Sequence, residues 1–255
     1  MVVGLAVLGL LVGSLLNTVI VRVPPGESLR SPALCPAGGE RVSARDRVES
    51  LTWVTGAGRC RHCGLRLPRQ GALVEATTAA LFSFVAILVG WSWVLPAALY
   101  LAAAGLALTV IDVQHKRLPN AIVAPSYAVM VVLLAVPALA EGRWDDWIRA
   151  LLGGLALFLV YLLLALVYPA GMGMGDVKLA GVLGMPLAWV GWGALIVGGF
   201  LGFLFGAVVG GALMLVRKAG RRSKIPFGPF MIAGAAAGLL FGEPIADWYV
   251  GQLSS

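Results

Sequence analysis

The sequence predicts an all-α fold, a polytopic membrane bundle of about eight transmembrane helices with a polar loop domain between the first two. Of the 255 residues, 60% are apolar and only 12% are charged, and the mean hydropathy is +0.92. A chain of this composition has too little polar surface to cover a water-soluble domain. Outside the polar segment 23–71, long apolar runs recur along the chain, most of them near the roughly 20 residues that a helix needs to cross the hydrocarbon core.

Eight such runs follow one another in the sequence. Their approximate limits are 2–22, 72–90, 94–111, 121–140, 147–167, 177–189, 191–216 and 227–250. The first run has no basic segment ahead of it and no small-residue cleavage site, so we expect a retained helix rather than a removed signal peptide. The sixth run is the weakest, because it is short and glycine-containing and Pro186 is expected to break it. Seven spans, with the sixth run a half-helix fused to its neighbour, is the alternative.

The net charge of +7 is concentrated on one side of the predicted bundle. With eight spans, seventeen of the nineteen basic residues fall on that side: nine arginines in 22–71, five bases in 217–224, and Lys116, Arg117 and Lys178 at two short junctions. Only Arg143 and Arg149 fall on the other side. Because cytoplasmic loops of membrane proteins carry the excess of Lys and Arg, the sequence predicts that the basic side is cytoplasmic. The charge is explained by membrane orientation, so no nucleic acid partner is expected.

Two aspartates lie where apolar runs meet this basic side. Asp112 follows the third run in the segment IDVQHKRLPN, and Asp176 precedes the sixth in the segment GMGMGDVKL. A carboxylate at the edge of the hydrocarbon is costly unless it is paired or hydrated, so two of them at one boundary indicate a functional site. Two carboxyls near contact share a proton, and such a pair can activate water while it polarises a peptide carbonyl. The pattern predicts aspartyl proteolysis by Asp112 and Asp176, without a cofactor.

Other interpretations of the two aspartates stay open at this point. Asp112 could end a helix, and Asp176 could be an N-terminal helix carboxylate that faces the positive end of the helix dipole. An ion or proton relay in a transporter is a second alternative, although no inverted repeat is visible. The glycines at 171, 173 and 175 favour a peptide-binding site, because they let the backbone approach a bound chain closely.

Five segments, in order, carry a family resemblance. They are GSLLNTVIVRVP in the first run, LVEATTAALF at the start of the second, IDVQHKRLPN, GMGMGDVKL, and IPFGPFMIAG at 225–234. Together they resemble the prepilin peptidases, the type IV prepilin leader peptidase and N-methyltransferase family of GxGD membrane aspartyl proteases. The resemblance extends over nearly the whole chain.

The resemblance implies a helical bundle in the bacterial cytoplasmic membrane whose active site lies on the cytoplasmic side. The family cleaves the short basic leader of prepilin or pseudopilin proteins, so these leaders, membrane lipid and the pilus or type II secretion assembly machinery are the implied partners. Asp112 and Asp176 match the two catalytic aspartates. The candidates for substrate-binding or supporting roles are Gly173, Gly175, Lys178 and Glu75.

The loop after the first run carries an incomplete metal-binding pattern. Bifunctional members of the family hold two C-x-x-C pairs there, a spacing that gives Zn²⁺ four thiolates. In this chain the pair Cys60 and Cys63 is complete, whereas Cys35 is followed by Gly38 where the next thiolate would stand. Cys35, Cys60 and Cys63 are therefore the candidate zinc ligands, with His62, a carboxylate or water in the gap. A decayed site with three reduced thiols is the alternative.

Many members with this loop also methylate the new N-terminus of the cleaved pilin, and the resemblance implies S-adenosylmethionine as the methyl donor. No glycine-rich nucleotide-binding loop is visible, so methylation stays open. The predicted organisation is a first transmembrane helix at 1–22, a cytoplasmic loop at 23–71 and a transmembrane peptidase bundle at 72–255. The rival functions are a proton-coupled carrier that uses both aspartates as its relay, and an inactive scaffold for pilus assembly.

Overall fold

The structure is a computed structural model that describes residues 1–29, 69–169, 171–216 and 225–253. Every regular element within these ranges is an α-helix, which confirms the predicted fold class. The helices are α1 (Val2–Arg22), α2 (Arg69–Val89), α3 (Leu95–His115), α4 (Asn120–Glu141), α5 (Trp144–Val167), α6 (Met174–Val190), α7 (Trp192–Leu215) and α8 (Gly228–Leu253).

Seven of these eight helices are long and apolar enough to cross a membrane. The limits of all eight differ from the predicted runs by only a few residues, because a long apolar run in hydrocarbon can satisfy its backbone polar groups by forming a helix. The helix outside this group of seven membrane-crossing helices is α6, which has only 17 residues. The arrangement is that of a multi-pass membrane protein.

The sixth run forms one continuous helix, α6. Pro186 lies inside this helix without ending it, so the expected break at the proline is wrong. Twelve of the 17 residues of α6 are buried, and this enclosure stabilises a helix that its own sequence would weaken. Gly191, in an extended conformation, separates α6 from α7, so the two are distinct helices rather than one fused element.

The chain divides into two compact units. The first, Met1–Ala107, contains α1, α2 and most of α3. In this unit α1 and α2 pack backbone to backbone, since a Cβ at Gly9 would lie 2.6 Å from the Cα of Ala79, and one at Gly13 would lie 2.6 Å from the Cα of Glu75. Small residues allow this close approach of membrane helices.

The second unit, Leu108–Ser255, contains the end of α3 and helices α4 to α8. Glycines again set the distance between neighbours. On the α5–α6 contact, a Cβ at Gly184 would lie 2.9 Å from the Cα of Gly154, and on the α7–α8 contact one at Gly238 would lie 2.5 Å from the Cα of Gly198. These close contacts fix the helices whose ends carry the candidate site.

Candidate active site

Asp112 lies in the last turn of α3 and is 4% exposed. Its Oδ2 accepts a hydrogen bond from the backbone N–H of Gly228, the first residue of α8, at 2.9 Å. A Cβ at position 228 would lie 2.8 Å from this oxygen, so a larger residue would have to displace the carboxylate. The segment ahead of α8 thus places a helix N-terminus, with its free N–H groups and positive dipole end, against the first aspartate.

Asp176 lies in the first turn of α6 and is partly exposed. Its Oδ2 accepts a hydrogen bond from the backbone N–H of Gly173, the N-cap residue, at 3.1 Å. The carboxylate therefore caps its own helix, as the structural alternative predicts. The pKa of Asp176 is raised to about 6, mainly by burial and also by the negative charge of Asp112, while the hydrogen bond from Gly173 opposes the rise.

The two aspartates lie at one site within the second unit. Leu118, in the turn after α3, is a neighbour of both: it lies 3.0 Å from the position of a Cβ on Gly175 and 3.2 Å from that of a Cβ on Gly228. The end of α3, the start of α6 and the start of α8 therefore meet where the sequence predicts a carboxyl pair.

Each of these carboxyls is held at one oxygen. Oδ2 accepts the backbone hydrogen bond in both cases. To the residues that the structure describes, neither Oδ1 makes a hydrogen bond. Helix capping and proton transfer can thus coexist, because capping occupies Oδ2 and leaves Oδ1 available to water or a peptide.

Three aromatic rings pack beside the aspartates. Tyr161 of α5 lies with its ring centroid 4.9 Å from that of Phe203 of α7, which in turn lies 5.4 Å from that of Phe227. Phe227 directly precedes the glycine bonded to Asp112, and Tyr161 is close enough to Asp176 to interact with it electrostatically. An apolar wall next to two carboxyls strengthens their electrostatic interactions and suits an apolar peptide segment.

Lys178, a candidate for a substrate-binding or supporting role, forms its hydrogen bonds with α4. Its Nζ donates to Oδ1 of Asn120, the first residue of α4, at 3.0 Å. Its backbone carbonyl accepts a hydrogen bond from the hydroxyl of Tyr127 at 2.7 Å. The side chain therefore ties α6 to α4 in this structure, and its contact with a leader peptide stays a prediction.

Glu75, the other ionisable candidate, lies on α2 in the first unit and is completely buried. Asn17 of α1 lies beside it: its Nδ2 donates to the backbone carbonyl of Gly71 at 3.0 Å and lies 3.5 Å from Oε1 of Glu75. This geometry places Glu75 at the α1–α2 contact. Its substrate-binding or supporting role stays a prediction.

The candidate zinc ligands Cys35, Cys60 and Cys63 lie outside the described residues. Within the described ranges, no group of three or more His, Cys, Asp or Glu side chains could hold a metal ion. The zinc site at Cys35, Cys60 and Cys63 therefore stays a prediction.

Sequence reasoning missed Arg149, one of the two bases away from the basic side. Its Nε donates to the carbonyl of Ala188 at 2.6 Å, and its Nη2 donates to the carbonyl of Trp189 at 2.8 Å and pairs with Oδ1 of Asp146 at 2.8 Å. These carbonyls belong to the last turn of α6, where a helix leaves them without internal partners. The only signals in the sequence were an isolated arginine and a helix, α6, that ends at a glycine. They do not identify the carbonyls that the arginine binds.

Two families match consecutive parts of the chain. Residues 7–89 match the Bacterial Peptidase A24 N-terminal domain, and residues 99–213 match the Type IV leader peptidase family. The second match includes both Asp112 and Asp176.

Curated relatives align with almost the whole chain. A prepilin leader peptidase/N-methyltransferase of Stutzerimonas stutzeri is 34% identical over 96% of this chain and 92% of the relative. Proteins of the same name from Pseudomonas aeruginosa and Bacillus subtilis are 32% and 30% identical, over 95% and 96% of this chain and 91% and 96% of the relatives. No solved structure matches the chain significantly.

Proposed function

The chain belongs to the type IV leader peptidase family, and from this premise we propose that it is a membrane aspartyl endopeptidase that removes the leader of prepilin-like proteins, with Asp112 and Asp176 as its catalytic pair. Membership makes the chain a peptidase. The aspartate assignment is supported by one observation above all: two neighbouring carboxyls are each anchored through Oδ2, and among the described residues neither Oδ1 has a hydrogen-bond partner.

Proton sharing between the two carboxyls supplies the chemistry. Because burial and Asp112 together raise the pKa of Asp176 to about 6, the pair holds one proton below that pH. The ionised carboxylate takes a proton from water, and the water oxygen attacks the scissile carbonyl carbon. The protonated carboxyl meanwhile donates to the carbonyl oxygen. Collapse of the tetrahedral intermediate breaks the C–N bond as a proton passes to the leaving amine, so the step balances without a cofactor.

We place this reaction on the cytoplasmic side of the bacterial cell membrane. Lys116 and Arg117 follow Asp112 by four and five residues, and Lys178 follows Asp176 by two. All three belong to the predicted basic side of the bundle. The positive-inside rule assigns such a side to the cytoplasm. The proposed substrates are the leaders of prepilins or pseudopilins, and pilus or type II secretion assembly proteins are the proposed partners of the finished product.

Methylation of the new N-terminus is a second proposed activity, because the relatives carry both activities in their names. S-adenosylmethionine would supply the methyl group. In the described part of the first unit, Thr78 donates to the carbonyl of Val74 at 2.7 Å and Asn17 to that of Gly71. These internal hydrogen bonds do not form a set of side chains that fits the cofactor.

Co-expression with a prepilin-like substrate tests the peptidase proposal. The wild type, Asp112→Asn and Asp176→Asn are compared, and the N-terminus of the product is determined by mass spectrometry. Both variants should insert in the membrane and leave the substrate uncut. Asp247→Asn, which neutralises an exposed carboxyl of α8, is the matched control and should cleave like the wild type. The mass of one methyl group on the wild-type product would establish the second activity.

Full cleavage by either aspartate variant would contradict the catalytic pair. Proton transport by the wild type that is lost in both variants, with no leader processing, would instead favour the carrier. A wild type that assembles with pilus proteins and cuts nothing would favour the scaffold.

A further inference from the structure

We propose that Tyr127 and Asn120 of α4 are positioning residues for Asp176, because they hold the first turns of α6 at a fixed distance from the turn that follows Asp112. The proposal rests on the proposed function and names residues that set the geometry of its catalytic pair. We call the three residues Asn120, Tyr127 and Lys178 the α4–α6 clasp.

Both bonds of the clasp end on Lys178, two residues after Asp176. The Tyr127 hydroxyl donates to the Lys178 carbonyl at 2.7 Å, and the Lys178 ammonium donates to Oδ1 of Asn120 at 3.0 Å. Asn120 and Tyr127 are seven residues apart on α4 and thus lie on the same face, two turns from each other. One face of α4 therefore holds both the backbone and the side chain of a single residue at the start of α6.

A glycine on α6 receives the tip of the tyrosine. A Cβ added at Gly181 would overlap the Tyr127 hydroxyl and ring. The absence of a side chain there lets the hydroxyl reach the carbonyl one turn earlier, at Lys178. Contact on one side and a short hydrogen bond on the other fix the tyrosine in both position and direction.

The clasp bears on the catalytic pair because α4 begins directly after the turn that carries Asp112 into the site. Lys116, with a left-handed φ of 52°, turns the chain after α3. Leu118, two residues on, packs against the position of Gly175. Since only this short turn links Asp112 to Asn120, the position of Asp112 is coupled to the start of α4, and the clasp couples the start of α4 to Asp176.

Titration of Asp176 offers a measurement that responds to this distance. Among the described residues, Asp112 of α3 is the titratable group whose charge raises the pKa of Asp176. The charge of Asp176 in turn acts on the Tyr161 hydroxyl of α5. Lys178 on its own helix is held by Asn120 of α4, and the neighbouring rings from α7 and the segment before α8 are uncharged. If the clasp opens and the carboxyls separate, the contribution of Asp112 to the pKa of Asp176 must fall.

The test compares Tyr127→Phe with the wild type in detergent, with a prepilin-like substrate. Loss of one hydrogen bond that acts on the transition-state geometry should lower kcat by about tenfold and leave KM within about twofold. The alkaline limb of the pH profile of kcat/KM should move to lower pH. Tyr249→Phe, which removes the hydroxyl of an exposed tyrosine on α8, is the matched control and should change neither quantity.

Asn120→Ala is a second variant, at an exposed position, where we expect the substitution to leave folding intact. It should lower kcat by about threefold with the same direction of pH shift. Asn120→Asp, which keeps an acceptor for Lys178, should restore the wild-type value. Wild-type kcat and pH profiles in both Tyr127→Phe and Asn120→Ala would overturn the positioning role while cleavage still depended on the aspartates. Cleavage that is independent of Asp112 and Asp176 would overturn the proposed function itself, so the two failures are distinguishable.

Discussion

The backbone N–H of Gly228 lies 2.9 Å from Oδ2 of Asp112, although the two residues are 116 positions apart in the chain. The contact joins the end of α3 to the first turn of α8. It fixes the carboxylate by a backbone N–H, which no substitution at position 228 other than proline removes. What a substitution can change is the space between the two residues, and this space is small.

Gly228→Ala should therefore impair cleavage without preventing insertion. A Cβ at 228 would lie 2.8 Å from Oδ2 of Asp112, so the carboxylate or the start of α8 must shift. A displacement of about 1 Å at a catalytic group can cost about 100-fold in rate, and we expect a fall in kcat of this order. Gly211→Ala on α7 is the control, since no atom of another described element lies within 4 Å of a Cβ at that position. Equal kcat in the two variants would contradict the account.

The pH dependence of cleavage should show the raised pKa of Asp176. The free pair holds one proton below a pH of about 6 and loses it above that value. Since kcat/KM reports the ionisations of the free enzyme, kcat/KM should decline as the pH rises through about 6. Steady-state kinetics between about pH 5 and pH 8 would measure this limb. A flat profile across the range would show that the proton on the pair is not required.

Asp176→Asn should stabilise the fold at neutral pH even as it abolishes cleavage. The pKa of Asp176 is raised in the folded protein, so the folded state binds this proton more tightly than the unfolded chain does. The wild type consequently loses stability as the pH rises between about 4 and 6 and does not regain it above. The neutral amide escapes this loss, which amounts to about 1 kcal/mol once the partial exposure of the group is allowed for.

Thermal unfolding in detergent, followed by tryptophan fluorescence, would measure this effect. The variant should melt a few degrees above the wild type at about pH 7.5, and the difference should shrink toward pH 4. Asp247→Asn, at an exposed site, should show no such trend. A variant that melts below the wild type at neutral pH would refute the assigned direction of the pKa shift.

Arg149→Met should destabilise α6 at the end remote from Asp176. The substitution keeps an apolar stem and removes the donors to the carbonyls of Ala188 and Trp189. Asp146 still has Arg143 as a partner, so no carboxylate is left unpaired. Loss of charged hydrogen bonds to the helix terminus should cost about 2–3 kcal/mol. Arg149→Lys keeps the charge but has fewer donors, so its melting temperature in the same thermal unfolding assay should lie between those of the wild type and Arg149→Met. Identical melting of the wild type and both variants would contradict the capping role.

The helices could be predicted from the sequence because the membrane leaves a long apolar run little conformational choice. The eight runs correspond to the eight helices of the described ranges, with ends that shift by a few residues. The error came at Pro186, where local propensity argues for a break and burial of α6 among its neighbours overrides it. Propensity is a property of the segment, whereas the enclosure of α6 depends on residues of α5 far away in the chain.

The aspartates could be identified from their own sequence neighbours, but their surroundings could not. Gly228 acts on a residue 116 positions away, Tyr127 on one 51 positions away and Arg149 on one 39 positions away. In each case one partner is a backbone group, and a backbone N–H or carbonyl has no sequence signature. Lys178 illustrates the limit, since nothing in its sequence neighbourhood indicates that its ammonium binds Asn120 of α4.

The central claim is that Asp112 and Asp176 act as one catalytic unit, and a double-mutant comparison of kcat tests it most directly. Asp112→Asn, Asp176→Asn and the double variant are purified in detergent and assayed on the same prepilin-like substrate. Residues that act as a unit have non-additive effects, so each single change should lower kcat by about 10⁴-fold and the double change no further. Retention of cleavage by either single variant, or a double variant whose loss is the product of the two single losses, would contradict the claim.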